Sequence, residues 1–258
     1  MGAMTFNVAA EAYDRFMGRF SSLLSPQMAD LAAVAPGQRV LDVGCGPGAL
    51  TAILVDRLGA TSVAAVDPSP PFVEAIRSRY PGVDVHESTA EDLGFADDAF
   101  DVALAQLVVH FMRDPVMGLR EMARVTRSGG TVAACVWDHA GGNGPLGLFW
   151  SVARELDPAV VDESDLPGAR EGNLGMLFEA AGLASIESTV VHADLALPSF
   201  EAWWEPFEGG VGPAGAYVAG LDAEARGRLR EHCRRRLPDG PFVMPASAWA
   251  VRGSVTGR

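Results

Sequence analysis

Lysine is absent from this sequence, and all 20 of its basic residues are arginine. The absence excludes catalysis through a lysine Schiff base and phosphate binding by a P-loop lysine. Positive charge is also scarce beside the 33 acidic residues, which leave a net charge of −13. Proteins that bind nucleic-acid phosphates or anionic membranes carry basic surfaces. We therefore expect neither kind of partner.

Cysteine is almost as scarce. Cys45, Cys135 and Cys233 lie far apart and form no CxxC pair, which excludes a disulfide scaffold, a zinc ribbon and a thioredoxin-like site. The 5 histidines show no paired metal-ligand spacing, so no metal site is expected. The HExxH motif of metalloproteases and the GxSxG motif of hydrolases are also missing. Neither metalloprotease nor hydrolase chemistry of these types is therefore expected.

Long apolar runs are missing as well. No stretch of about 18 apolar residues, the length that spans a membrane, occurs in the chain. The first residues lack the basic start and apolar stretch of a secretory signal. We therefore expect a cytoplasmic protein.

From residue 39 to residue 137, apolar segments with strand character alternate with segments of helical period. The predicted strands are 39–43, 61–66, 83–86, 100–105 and 131–136, and the predicted helices are 48–58, 70–79 and 115–126. Nearly continuous apolar strands separated by helices indicate a parallel sheet that is covered on both faces. After residue 137 strands and helices alternate less regularly. Helices are predicted at 148–156, 174–181 and 199–237, and strands at 185–197 and 242–252.

Three glycines in five residues follow the first predicted strand, in the segment VLDVGCGPG that ends at Gly48. Glycines there let the backbone approach a ligand, and the next helix offers free N–H groups at its N-terminus. Asp67 ends the second strand 19 residues later, where a carboxylate accepts both hydroxyls of a ribose. Gly44, Gly46 and Ala49 also fit a relaxed dinucleotide pattern. A nucleoside site is predicted, and an NAD-dependent oxidoreductase remains an alternative.

The segment VLDVGCGPG, the acidic end of strand two and the later segment AEDLGFADDAFDVALAQLVVHF resemble the class I methyltransferases that depend on S-adenosylmethionine (SAM). The resemblance spans about residues 13–137 and is greatest to the small-molecule branch that includes the ubiquinone and menaquinone C-methyltransferases. It implies SAM as cofactor and a Rossmann-like, mostly parallel seven-stranded sheet whose last strand, 242–252, is antiparallel.

The sequence shows no internal repeat and no linker between domains. We expect a single domain over residues 1–258, with lid helices in 1–38, a SAM-binding half in 39–137, and a substrate-side half in 138–258 whose insertions 138–170 and 199–237 form a cover.

The resemblance assigns the SAM-binding residues by position. Gly44, Cys45 and Gly46 would pass under the methionine and ribose parts of SAM. Asp42 would orient the loop and meet the amino group, and Asp67 would bind the ribose.

A second group would surround the adenine. Pro68 would flank the ring, Ala90 would offer its backbone N–H, and Thr89 stands where the family commonly has an aspartate that binds the adenine amino group. Glu91 is expected either to replace that contact or to cap a turn.

The N-terminal segment around Tyr13 is similar to segments that fold over SAM in this family. Tyr13 would reach the methionine end, and Arg19 would pair with the carboxylate, which an arginine fork suits. The alternative is an ordinary amphipathic helix with its aromatic residues in the core.

Three residues are expected near the methyl group. Gln106 ends the fourth strand, and His110 follows it by one helical turn. His139, just after the fifth strand, is our candidate general base.

These expectations together predict a SAM-dependent methyltransferase, monomeric or homodimeric, that acts on a small hydrophobic or aromatic molecule. The alternatives are an NAD-dependent oxidoreductase, a non-catalytic SAM-binding protein, and an RNA methyltransferase, which the negative charge disfavours.

Overall fold

The structure is a computed structural model that describes residues 14–257. Its strands are β1 (Val40–Val43), β2 (Val63–Asp67), β3 (Asp84–Glu87), β4 (Phe100–Gln106), β5 (Thr126–Trp137), β6 (Ala184–His192), β7 (Leu195–Leu197), β8 (Phe242–Met244) and β9 (Ser247–Ser254). Its α-helices are α1 (Arg19–Leu31), α2 (Ala49–Leu58), α3 (Pro70–Arg79), α4 (Pro115–Val125), α5 (Gly147–Leu156), α6 (Asn173–Ala180), α7 (Phe200–Glu208), α8 (Gly212–Gly220) and α9 (Ala223–Arg234).

Seven of these strands form one sheet in the order β3-β2-β1-β4-β5-β9-β6. Neighbours from β3 to β5 pair in parallel, and β9 pairs antiparallel with both β5 and β6. The predicted Rossmann-like sheet with an antiparallel last strand is therefore confirmed.

The central strands β1, β2 and β4 are buried on both faces of the sheet, and successive side chains of a strand point to opposite faces. In β1, Val40 belongs to the apolar cluster that includes α1 and α2 on one face, whereas Leu41 and Val43 belong to the cluster that includes α4 and α6 on the other. This two-sided burial explains the near-continuous apolar strands of the sequence.

Two strands predicted as single elements are each divided in the structure. The segment 185–197 becomes β6 and β7, and 242–252 becomes β8 and most of β9. Pro245, between β8 and β9, has no N–H for a ladder bond. At this corner the backbones of Ala193 and Ala246 exchange hydrogen bonds of 2.8 and 3.0 Å, and β7 and β8 leave as a separate two-stranded sheet.

The segment 199–237 folds into α7, α8 and α9. The aromatic side chains of α7 are buried in the same core as α1 and α5, and Phe207 stacks on Phe149 with ring centroids 4.6 Å apart. Within residues 14–257, no helix is both long enough and apolar enough to cross a membrane.

Candidate functional site

The carboxyl ends of β1, β2 and β4 meet at one edge of the sheet. Val43 pairs with Val66, and Asp42 pairs with Leu104, so the glycine loop, Asp67 and Gln106 follow directly at the same level. In open α/β sheets, ligands bind at this edge.

The glycines of the loop after β1 differ in their surroundings. A Cβ on Gly44 would lie 2.5 Å from the side chain of Val108, and one on Gly48 would lie 2.5 Å from Ile76. Gly46 has φ +52°, and a Cβ there would meet no atom within 4 Å. Gly44 and Gly48 therefore permit close packing, whereas Gly46 faces open space.

Cys45 turns its side chain inward, away from that space. It is buried with Ala65, Val73 and Ile76, and this burial raises the pKa of its thiol well above the usual value. The N–H groups of Gly44 and Cys45 both donate to Val66 O, at 2.8 and 3.0 Å. Cys45 thus anchors the loop, and its side chain does not face a ligand.

Asp67 joins the glycine loop to the next helix. Its Oδ2 accepts from the Gly46 N–H at 2.9 Å, and its Oδ1 accepts from the Ser69 N–H at 2.8 Å. An ionised carboxylate has about four acceptor positions, so about two remain for a ligand such as a ribose. Burial raises the pKa of Asp67 to about 6.

Asp42 lies beneath the loop and is 1% exposed. Its Oδ2 accepts a hydrogen bond of 2.6 Å from Thr51 Oγ1 in the first turn of α2. Burial is the main cause that raises its pKa to about 7, and the charge of Asp67 adds to the rise. The carboxylate thus ties β1 to the start of α2, and at this depth it has almost no surface for direct contact with a ligand.

The predicted adenine-side residues divide into exposed and anchored groups. Pro68 and Thr89 are exposed, and Ala90 is buried. Glu91 accepts at Oε1 from the backbone N–H of Arg113, at 2.7 Å, and from that of Asp114, at 3.2 Å. Glu91 is therefore engaged in holding the start of α4, which favours the capping alternative.

Gln106 and Arg19 make contacts other than those predicted for them. The Gln106 side-chain amide donates to Ser21 O at 3.0 Å and to Ser25 Oγ at 3.1 Å, which ties α1 to the end of β4. Arg19 donates to Ala202 O of α7 at 3.2 Å. Among the described residues, Gln106 Oε1 and Arg19 Nε are buried without a partner. Tyr13 lies outside the described residues, so the lid remains a prediction.

A largely apolar cavity lies beside this edge. Its wall includes Phe16, Met17, Leu107, Trp137 and Val211, with ionisable side chains from His110, His139 and Glu163. The space between these side chains, including its opening to solvent, is about 450 Å³.

The backbone geometry around β4 and β5 explains how the histidines reach the cavity. Leu107 has φ +63°, which bulky residues rarely adopt, and its N–H donates to Cys135 O at 3.0 Å. After β5, Asp138 accepts from the Gly141 N–H at 2.8 Å and from Asn143 Nδ2 at 2.7 Å. These bonds fix the turn that carries His139.

His110 and His139 lie side by side, with ring centroids 5.8 Å apart. Burial lowers the pKa of His110 well below its usual value, and it lowers that of His139 to about 4. Both rings are therefore neutral at pH 7. His110 Nδ1 and His139 Nε2 have no hydrogen-bond partner among the described residues. The two rings can orient a polar group of a ligand, but His139 is a weak base.

The cavity also contains a residue that the sequence analysis did not single out. Glu163 is 5% exposed, and its Oε2 accepts from Trp150 Nε1 at 2.8 Å. Burial raises its pKa to about 7. The acidic loop 157–170 has no motif that distinguishes Glu163 from its acidic neighbours, so its burial follows only from the tertiary structure.

Comparison with known proteins shows similarity to methyltransferases. Residues 41–134 match the family model described as "Methyltransferase domain". An uncharacterized methyltransferase of Mycobacterium tuberculosis is 36% identical over 136 residues, which are 53% of each chain. A Mycobacterium ulcerans protein named "Probable phthiotriol/phenolphthiotriol dimycocerosates methyltransferase 2" is 41% identical over 170 residues, which cover 59% of this chain and 65% of the relative. The chain thus spans about half the length of the first relative.

Among solved structures, a SAM-dependent methyltransferase from Thermotoga maritima superposes with a TM-score of 0.54. It is 21% identical, and the match covers 95% of this chain and 99% of that one. This likeness shows the fold. Together, the comparisons show a match to a methyltransferase domain over residues 41–134 and a likeness in fold over most of the chain.

Proposed function

We propose that this protein binds SAM at the carboxyl ends of β1, β2 and β4 and transfers the methyl group to a small apolar or aromatic molecule. The observation that carries the proposal is the pairing of Gly46 with Asp67. The one glycine of the loop that faces open space donates its N–H to the carboxylate that ends β2. A nucleoside placed there would contact backbone and carboxylate at once.

Each part of SAM has a fitting group in this proposal. Asp67 keeps acceptor positions for the ribose hydroxyls, and Gly46 allows close approach of the backbone. Pro68, Thr89 and Ala90 would surround the adenine. Gln106 Oε1, a buried acceptor without a partner among the described residues, suits the ammonium group of the methionine part, and Arg19 Nε suits its carboxylate.

The bound cofactor would supply an electrophilic methyl group on a positively charged sulfur. The contribution of the chain is alignment of the acceptor and exclusion of water. The apolar wall of the cavity excludes water, and His110 and His139 would orient the acceptor beside the end of β4.

The lining of the cavity supports the proposed class of acceptor. Aromatic and aliphatic side chains make most of the wall, which suits a hydrophobic or aromatic molecule. The net charge of −13 disfavours an RNA substrate.

Calorimetry and a transfer assay test the proposal. The protein should bind SAM and its demethylated product, S-adenosylhomocysteine, and it should not bind NAD⁺. It should also transfer label from methyl-tritiated SAM to at least one apolar small molecule. Binding of NAD⁺ without SAM would favour the oxidoreductase, and SAM binding without transfer to any acceptor would favour a non-catalytic protein.

A further inference from the structure

The cavity wall presents one carboxyl oxygen that is free to receive a proton. Glu163 Oε2 is occupied by the indole N–H of Trp150 at 2.8 Å. Among the residues that the structure describes, Oε1 makes no hydrogen bond, and Glu163 lines the cavity together with His110 and His139. A ligand in the cavity can therefore reach a buried carboxyl group as well as two neutral imidazoles.

Helix α5 holds this carboxyl group in place at two adjacent positions. Trp150 and Arg154 are four residues apart and so lie on one helix face. Trp150 binds Glu163, and Arg154 forms an ion pair with Asp162. Because both anchors belong to one helix face, the orientation of Glu163 toward the cavity is fixed by the fold.

The charges around the cavity limit the kind of acceptor. A protonated amine has no lone pair with which to attack the methyl group, and the positive sulfur of the cofactor would repel it. A carboxylate acceptor would place a second negative charge near Glu163. A neutral hydroxyl avoids both costs.

The acidity of the hydroxyl limits the class of methyl acceptor further. The pKa of Glu163 is about 7, and general bases work best when their pKa lies near the working pH. A base of this strength can deprotonate a phenolic hydroxyl, whose pKa is about 10 as in tyrosine. It cannot deprotonate an aliphatic alcohol, whose acidity is close to that of water with a pKa of about 15.7.

We propose, resting on the methyl transfer proposed above, that Glu163 is the general base that deprotonates a phenolic acceptor held in this cavity. The phenolic oxygen forms a bond to the methyl carbon while the bond between that carbon and sulfur breaks. The electron pair of the broken bond goes to sulfur, which becomes a neutral thioether. The phenolic proton goes to Glu163 Oε1, and Trp150 keeps its bond to Oε2 throughout.

The test compares three probes that share a naphthalene ring: 2-naphthol, 2-naphthoic acid and 2-naphthylmethylamine. Each is incubated with methyl-tritiated SAM and either wild type, Glu163→Gln or Glu208→Gln. The amide of Glu163→Gln can still accept from Trp150 but cannot act as the base. Glu208→Gln is the matched control, because Glu208 accepts from Trp204 Nε1 at 2.9 Å yet does not line the cavity.

We expect the wild type to methylate 2-naphthol rather than the acid or the amine, with a rate that falls below about pH 7. Glu163→Gln should lower kcat by about 10²–10⁴-fold and remove that acid limb, with the Kd for SAM unchanged. Glu208→Gln should behave as wild type. Preference for the acid or the amine, no transfer to any probe, or full rate in Glu163→Gln would overturn the proposal.

A second readout does not depend on turnover. The Trp150 indole N–H resonance, assigned with Trp150→Phe, should titrate near pH 7 because its acceptor ionises there. In the presence of S-adenosylhomocysteine, 2-naphthol should shift that midpoint in wild type and in Glu208→Gln, and an unchanged midpoint would contradict contact with Glu163. If calorimetry shows no SAM binding at all, the proposed function itself fails, and the two failures are thereby distinguished.

Discussion

At the scale of single residues, the glycines of the loop after β1 have different functions. Gly44 and Gly48 are needed because Val108 and Ile76 occupy the space where their Cβ atoms would lie. Gly46 has no such neighbour, so the fold leaves that space free for a ligand.

Two substitutions separate these roles. Gly46→Val and Gly44→Val both place a β-branched residue at positive φ, which costs about 1–3 kcal/mol. Only Gly44→Val also overlaps Val108, at a further cost of about 1–3 kcal/mol. We expect Gly46→Val to lower SAM affinity more than tenfold. Its Tm should fall less than the Tm of Gly44→Val. Calorimetry and thermal unfolding measure the two effects, and wild-type SAM affinity in Gly46→Val would refute the ligand-facing role.

Local motifs predicted the loop and Asp67, because their spacing follows directly from a strand-turn-helix unit. They could not predict contacts between segments distant in the sequence. Arg19 donates to Ala202, 183 residues away, and Glu163 acquires its role through Trp150. No local pattern contains either contact.

At the scale of elements, hydrophobic periodicity predicted the helices and parallel strands of the first half closely. The predicted helix 70–79 is α3, and Asp114 caps α4 by accepting from the Met117 N–H. The predictions were less accurate where β6 meets β7 and β8 meets β9, because the chain changes sheets at Ala193 and Ala246 within segments that were each predicted as one strand.

The loop 157–170 is the element whose position the activity depends on most in this account. Arg154→Ala removes the ion pair to Asp162 from α5, whereas Arg170→Ala removes an exposed pair to Asp165 elsewhere in the same loop. We expect Arg154→Ala to speed hydrogen exchange in residues 160–166 and to lower kcat about tenfold, because the carboxylate is less well aligned. Arg170→Ala should change neither, and equal exchange in the two variants would contradict the anchoring role.

At the scale of the whole molecule, burial raises the pKa of three carboxyl groups, namely Asp42 to about 7, Asp67 to about 6 and Glu163 to about 7. A raised pKa in the folded state stabilises the protein while the group is protonated, and this stability is lost as the pH rises through the folded value. The two buried histidines have lowered pKa values, so their contribution makes stability rise with pH. They do this only below about pH 6.5, the pKa of histidine in the unfolded chain.

Between about pH 6.5 and pH 8 the carboxyl groups therefore dominate the effect of these buried groups. We expect the free energy of unfolding to fall by about 1.4 kcal/mol per pH unit for each proton that the folded state holds in excess of the unfolded state. One such proton lowers Tm by about 3–6 °C per pH unit, and the slope approaches zero by about pH 8, above the folded pKa values. Asp42→Asn keeps an acceptor for Thr51 and should flatten the curve. Denaturant unfolding across this range measures the slope, and stability that rises with pH would show that these carboxyl groups are not the controlling ones.

The central claim is that Asp67 and the glycine loop bind the nucleoside of SAM, and the Kd for SAM of Asp67→Ala tests it most directly. A hydrogen bond to a charged group contributes about 1.5–3 kcal/mol, so loss of the carboxylate should weaken SAM about tenfold to a hundredfold. Asp84→Ala, at the opposite end of the neighbouring strand β3, is the control and should bind as wild type. Calorimetry that finds folded Asp67→Ala binding SAM as tightly as wild type would contradict the account.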